Sequence, residues 1–205
     1  MGASRGPRPA GARTREAILV AAGEVFATEG YERGSLRGVA RKAGVDPALV
    51  RHYFDSKVAL FVESMRPPID LTTQADRIAA GDADKVGERV IAFFIATWSH
   101  PVQGDRVVAM LRAALDHPEV AELVRKAIVE NVIEEVARRV GATDPRAAAV
   151  SAASQVIGLT LLRHAARLEP LASMSPEELV RRFAPVITYH LTGTFPQPHN
   201  SSHGE

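Results

Sequence analysis

Apolar residues in this chain recur every three or four positions, not every second one. Ile18, Ala21, Ala22, Val25 and Phe26 form one stripe, Val86, Val90, Phe93, Phe94 and Thr97 a second, and Val108, Leu111 and Leu115 a third. That spacing puts each set on one face of a helix. Alternating runs bounded by turn signals, the mark of half-buried strands, are missing. Start and stop signals divide the pattern. Thr14 opens the first stripe and Gly30 closes it, and Ser35 caps Leu36–Ala43, which Gly44 ends. Asp46-Pro47 joins an N-cap to a proline at the first helical position, where the missing N–H costs nothing. Ser56 caps a helix through Leu60, Phe61 and Met65 that Pro67-Pro68 stop or kink. A helix over Asp105–Leu115 follows. His117-Pro118-Glu119 opens a longer one through Val124, Ile128, Val132 and Val136, and Asp144-Pro145 another through Leu168. Ser175-Pro176-Glu177-Glu178 combines a Ser cap, a proline and a Glu placed to close a capping box. The pattern predicts an all-α chain of about nine helices and no sheet.

Composition narrows the class. With 205 residues and 46% hydrophobic content, the chain buries enough surface to fold without a disulfide or metal, and it has no cysteine. No apolar run reaches the ~20 residues of a membrane span, and no signal-peptide core follows the basic start, so the expected location is the cytoplasm, with no membrane partner. Four segments are expected: a flexible basic arm over 1–13, a small domain over 14–60, a larger helical domain over 61–192, and a disordered polar tail over 193–205. Net charge is +1 overall, yet residues 1–60 hold ten Lys and Arg against six Asp and Glu, a net +4, leaving −3 for the remainder. A basic first part beside an acidic remainder points to a polyanionic partner for the first part.

Residues 35–54 supply the element that would meet it. Two helices of about eight residues flank Gly44-Val45, the proportions of a helix-turn-helix. Ala40 is small enough for a close crossing, and Val39, Val45, Val50 and Phe54 supply a shared apolar seam. Pro47, Ala48, Leu49, Arg51 and His52 are left on the outer face of the second helix, which fits a major groove.

The run from Gly30-Tyr31 through Ser35-Leu36-Arg37-Gly38-Val39-Ala40-Arg41-Lys42-Ala43-Gly44-Val45, Tyr53-Phe54 and Ser56-Lys57-Val58-Ala59-Leu60 resembles the DNA-binding region of the TetR/AcrR family. The likeness covers about 30 residues without a gap; the other ~140 match in length and helical pattern. The resemblance implies a three-helix DNA-binding domain joined to a larger ligand-binding and dimerisation domain. It implies a dimeric transcription repressor released from a palindromic operator by a small molecule, with no cofactor, metal or catalytic residue. Ser35 and Arg37 fall where members contact phosphate and sometimes a base. Pro47, Ala48 and Leu49 fall where base edges are read, and Arg51, His52, Tyr53 and Lys57 where phosphates are held. Lys57 opens a helix, so its ammonium and the amide N–H groups there share one phosphate. Arg51 replaces a frequent tyrosine and reaches either a phosphate or guanine O6/N7. Apolar Pro47, Ala48 and Leu49 favour thymine methyls. Gly34 replaces a common threonine, and Gly38 costs about 1 kcal/mol in a helix interior. Arg5, Arg8 and Arg13 of the arm are candidates for an adjacent minor groove.

The larger domain is less legible. Phe94, Trp98, Met110, Gln155 and His164 are candidate pocket residues, since aromatic and Met side chains with a few polar groups suit an apolar ligand, although such residues also build ordinary cores. Ser154, Ile157 and Leu161, on a stripe with Val150, and Phe183 and Ile187 are candidates for a four-helix dimer interface. The helix ending near Pro67 is expected to be the only covalent link between the two parts. Two other classes stay open: a sequence-independent architectural DNA binder and a small helical enzyme. Against the latter, His-Glu-x-x-His, Gly-x-Ser-x-Gly and phosphate-binding glycine motifs are missing, and His199 and His203 lie in a Pro/Ser/Gly tail.

Overall fold

Five helix starts are fixed by side chains closing on their own backbones, that after Ser56 by a bond from the Ala59 N–H at 3.1 Å and four more as follows. Ser35 Oγ accepts from the Gly38 N–H at 3.0 Å, Asp46 Oδ1 from Ala48 at 2.7 Å, Asp144 Oδ1 from Ala147 at 3.0 Å, and Ser175 Oγ from Glu178 at 3.2 Å. Each such cap is worth about 1 kcal/mol. The computed structural model describes residues 10–65, 71–99 and 101–196. Among them every regular element is helical: α1 (Ala10–Arg33), α2 (Leu36–Ala43), α3 (Pro47–Tyr53), α4 (Lys57–Met65), α5 (Leu71–Ala79), α6 (Val86–Ser99), α7 (Pro101–Asp116), α8 (Pro118–Val124), α9 (Glu135–Arg139), α10 (Pro145–Thr160) and α11 (Pro176–Thr192). A π-helical stretch, Arg125–Glu134, joins α8 to α9, and another, Leu161–Ala165, extends α10. Counting the rod from Pro118 to Arg139 once gives ten helices. No described helix is long and apolar enough to cross a membrane.

The chain folds as two units. The first is Met1–Arg66 together with Asp105–Leu123, and the second is Pro67–Gly104 with Val124–Glu205. The boundary expected at 60/61 therefore moves to 66/67, and the first unit recruits a distant segment. The chain passes between units three times, so the helix ending near Pro67 is not the only covalent link; Pro67 and Pro68 themselves lie outside the described residues.

In the first unit α1 packs on α2 and α4, and α2 on α3. Ile18, Phe26, Val39, Val50, Leu60, Phe61 and Met65 are fully buried there. Phe26 meets Phe61 edge to face, with ring centroids 5.1 Å apart. In the second unit α6 and α10 pack on α11, and α5 on the π stretch and α9. Ile91, Ile133, Leu179, Ile187 and Leu191 are fully buried. At the α6–α11 crossing the Gly87 N–H donates to Thr188 Oγ1 at 3.1 Å.

Several sequence expectations shift. The first helix begins at Ala10, so Thr14 is interior and not a cap; Ala10, Ala12 and Arg13 are good helix formers that carry one more turn upstream. Arg13 therefore lies in α1 and not in a flexible arm, while Arg5 and Arg8 lie outside the described residues. Helix α7 starts at Pro101, not Asp105, with a proline at its first position as in α8. Among the described side chains of helix α5, Ala75 and Ile78 are the buried anchors, a pair too sparse for the periodicity to single it out. The helix expected to run through Leu168 stops at Ala165. Arg167 takes φ 51, and the Leu168 N–H folds back to the Leu162 carbonyl at 2.9 Å. The Ser175 cap holds, but the Glu178 carboxylate turns to Arg181 and Arg182 in place of completing a capping box. Of the polar tail, Gly193 ends α11 with φ 77 and Phe195 stacks on Tyr189 at 4.4 Å; residues 197–205, with His199 and His203, lie outside the described residues.

A methyl group on Gly87 would sit 2.1 Å from the Ala184 carbonyl oxygen and 2.5 Å from Thr188 Oγ1. The obstacle is backbone, so α6 and α11 must separate to admit it. Gly87→Ala should lower unfolding stability by about 2–3 kcal/mol or more, measured by urea denaturation, despite alanine's better helix propensity. A neutral or stabilising result would show that the crossing is looser than this contact requires.

Candidate nucleic-acid interface

The turn between α2 and α3 depends on Gly44. Its φ of 67 lies in the left-handed region, and the chain reverses there with Val45 N–H bonded to the Ala40 carbonyl at 3.0 Å. The reversal lets the inner faces of both helices share one core. Val39, Ala40 and Val50 have no exposed surface and Phe54 only 4%, while Val45 is half-buried. The opposite face of α3 looks outward: Pro47, Ala48, Leu49, Arg51 and His52 are all exposed. Leu49 leaves 39% of its surface in solvent on this outward face. Tyr53 is half-buried, with its ring 5.2 Å from that of His52. An alanine methyl at Gly11 would lie 3.2 Å from its hydroxyl oxygen, so Tyr53 reaches the first turn of α1.

The flanking candidates lie on α2 and α4. Ser35 is exposed, and its oxygen is engaged by the Gly38 N–H, which leaves the hydroxyl proton for an outside acceptor. Arg37 is exposed in the first turn of α2. Gly38 is also in that first turn, where its N–H serves the cap. Gly34 has a packing reason that the sequence does not reveal: a methyl there would lie 2.5 Å from Phe26 Cδ1 and 2.9 Å from the Gly30 carbonyl oxygen. Lys57 opens α4, and Ser56 caps it through the Ala59 N–H at 3.1 Å. The Lys57 ammonium donates to the Glu32 carbonyl at 3.0 Å and lies 4.7 Å from the Tyr31 ring centroid. Neither partner is evident from spacing, because both lie about 25 residues upstream.

Ion pairs tie down other charges. Lys42 bonds Glu24 at 2.8 Å, and Arg15 bonds Glu63 at 2.6 Å while its guanidinium lies 4.9 Å from the Phe54 ring centroid. The hydrogen bond and charge of Lys42, with Arg106 behind them, hold the Glu24 carboxyl below the usual carboxylate range. Partial burial, then Glu119, pushes the Tyr31 phenol above its ordinary value. Arg37, Arg41 and Arg51 stay exposed beside the outward face of α3. The arrangement presents a short helix with an apolar first turn and a basic last turn, which suits contact with base edges and phosphates. No group of three or more metal-ligating side chains is placed to hold a metal ion among the described residues.

The other candidates are dispersed. Phe94, buried beside Phe93 at 5.2 Å, and half-buried Gln155 and His164 belong to the second unit, His164 on a π-helical turn. Trp98 lies in α6, but its side chain is outside those described. Met110 is 2% exposed within the first unit, so it does not share a unit with the other pocket candidates. A second-unit concavity of about 170 Å³, lined by Asp84, Glu88, Val180, Ala184, Pro185 and Thr188 among others, involves none of them. Of the interface candidates, Ser154 is exposed and Ile157, Leu161 and Phe183 are half-buried. Ile187 has no exposed surface at all, so it belongs to the core of its own chain. The exposed apolar residues near these positions are Val150 at 56%, Leu162 at 45% and Tyr189 at 42%.

Comparison with known proteins agrees with this geometry. Residues 18–63 match the family described as bacterial regulatory proteins, tetR family, and residues 84–191 match the tetracyclin repressor-like C-terminal domain. A solved TetR-family regulator from Streptomyces coelicolor is 32% identical; the match covers 91% of this chain and 99% of that one, with a TM-score of 0.61. The transcriptional activator FasR of Mycolicibacterium smegmatis is 26% identical over 170 residues, 80% of this chain and 77% of FasR. The fold also matches SmeT in complex with triclosan (TM-score 0.60, 21% identity, 91% of this chain and 98% of that one), SmeT being the repressor of a Stenotrophomonas maltophilia multidrug efflux pump. These relatives are transcription regulators and not enzymes. The chain belongs to the TetR family of DNA-binding transcriptional regulators.

Proposed function

We propose that the protein is a homodimeric repressor that binds a palindromic operator through α3 and leaves it when a small molecule occupies the second unit. The observation that carries the DNA contact is the division of α3: Val50 is wholly buried while Pro47, Ala48, Leu49, Arg51 and His52 face out. Pro47, Ala48 and Leu49 meet base edges, with Leu49 against thymine methyls. Ser35, Arg37, Arg51, His52, Tyr53 and Lys57 hold phosphates on either side. A helix of seven residues reaches only a few base pairs, so useful specificity calls for two half-sites related by two-fold symmetry. Ser154, Ile157, Leu161 and Phe183, with Val150 in place of Ile187, supply the apolar surface for that pairing. Phe94, Gln155 and His164, the candidates whose side chains are described in the second unit, are assigned to effector binding there, and the triclosan bound to SmeT supports a small apolar effector. Linkage then requires that operator binding weaken the effector by the same factor by which the effector weakens the operator. An activator is the second reading, favoured by the likeness to FasR; the same contacts serve it, and the location of the operator decides the sign.

Fluorescence-anisotropy titration against DNA from upstream of its own gene, with excess unrelated competitor, tests the reading. We expect saturable binding to one imperfect palindrome. Arg37→Ala/Arg51→Ala should weaken it at least tenfold near 0.1 M salt and flatten the plot of log affinity against log salt by about 0.9 for each phosphate no longer neutralised. Affinity no better than for competitor would sink the operator reading. Ser154→Arg places a charge on an exposed position, so helical content should persist while the sedimenting mass halves. An unchanged mass would remove this face from the dimer.

A further inference from the structure

Lys57 has the longest and most flexible charged side chain in the proposed phosphate-binding set next to the arginines, and such a chain loses affinity to its own rotamer freedom unless something holds it. Two contacts hold it. Its ammonium donates to the Glu32 carbonyl at 3.0 Å and lies 4.7 Å from the Tyr31 ring centroid, a cation–π distance. Both contacts are backed by one imidazole from far along the chain. The His117 ring meets the Tyr31 ring at 4.7 Å and 63°. His117 Nε2 is also 2.8 Å from Glu32 Oε1, on the residue whose backbone carbonyl receives the ammonium. Phe61 closes another side of the Tyr31 ring at 4.9 Å, and the Tyr31 hydroxyl lies 3.5 Å from Glu119 Oε1. His117 itself is mostly buried, its side chain 20% exposed. Lys57, Tyr31, Glu32, Phe61, His117 and Glu119 all belong to the first unit.

We propose that His117 is a positioning residue for Lys57: through Tyr31 and Glu32 it fixes the ammonium at the start of α4, and so sets DNA affinity without contacting DNA. The inference rests on the reading of Lys57 as a phosphate ligand. His117, between α7 and α8, thus gives the distant segment of the first unit a part in holding the cation. Preorganisation of this kind raises affinity by lowering the ordering cost at the moment of binding.

A double-mutant cycle on the full chain separates positioning from general scaffolding. Binding to a fluorescein-labelled duplex of mixed sequence is followed by anisotropy between about 50 and 200 mM salt, because phosphate contacts do not need the operator. Lys57→Gln should reduce the salt slope by about 0.9. His117→Leu should weaken binding about fivefold when Lys57 is present and less than about twofold in the Lys57→Gln background, the non-additivity expected of residues that act through one another. His117→Phe keeps the ring contact with Tyr31 and removes the bond to Glu32, so it should recover part of the affinity. Circular-dichroism melting confirms folding, and His117→Gln replaces His117→Leu in the cycle if the leucine variant is unfolded. Equal weakening in both backgrounds, or none in either, would overturn the positioning role. A Lys57→Gln variant with an unchanged salt slope would instead overturn Lys57 as a phosphate ligand.

Discussion

Phe26 sits at the point on which the first unit turns. Its ring is fully buried, it meets Phe61 edge to face, and it lies directly against the backbone at Gly34. That contact brings the end of α1 against the start of α2 and leaves no space for a side chain between them. Gly30, with φ 77 and ψ 174, bends the chain so that residue 34 arrives beneath the ring. With α2 held there, the Gly44 reversal sends α3 across the same core. The outward face of α3 is therefore a consequence of where the inner face is anchored. An aromatic ring of this size contributes a few kcal/mol on burial, a large share of an ordinary stability margin.

The charges play a different part. Pairs such as Lys42 with Glu24 and Arg15 with Glu63 are partly or largely solvent-exposed, and exposed pairs of this kind add little to stability. Their effect is on the distribution of charge near α3. They neutralise cations along α1 and at the end of α2, while Arg37 and Arg51 remain exposed on and beside α3. A chain with a net charge of only +1 can thus present a local basic surface.

The parts of this architecture that could be read from the sequence are those that local chemistry decides. Ser35, Asp46, Asp144 and Ser175 cap the helices they precede, because an N-cap bond spans only two or three residues. The seam of Val39, Val50 and Phe54 follows from helical period alone. The failures have longer range. Thr14 looks like a cap only if the residues before it are ignored. Ile187 and Val150 lie on equally apolar stripes, and only the packed second unit shows that the first is core and the second is surface. Gly34 reads as a missing phosphate donor until Phe26 is seen lying on it. Met110 and His117 carry no periodic sign that they fold with the first 66 residues; the contacts of His117 with Tyr31 and Glu32 reach across more than eighty positions.

The three passages of the chain between its units bear on how such regulators recombine. Two of them fall within helices: residue 104 meets 105 inside α7, and 123 meets 124 inside α8. A helix that begins in one unit and ends in the other carries sequence requirements from both. The reading head is therefore not an N-terminal cassette that can be exchanged at a single junction. A chimera cut after Arg66 would inherit from its new host a segment equivalent to 105–123 that had been selected against a different α1 and α4. The exposed positions of α3, by contrast, face away from the packed core and can vary without disturbing either unit.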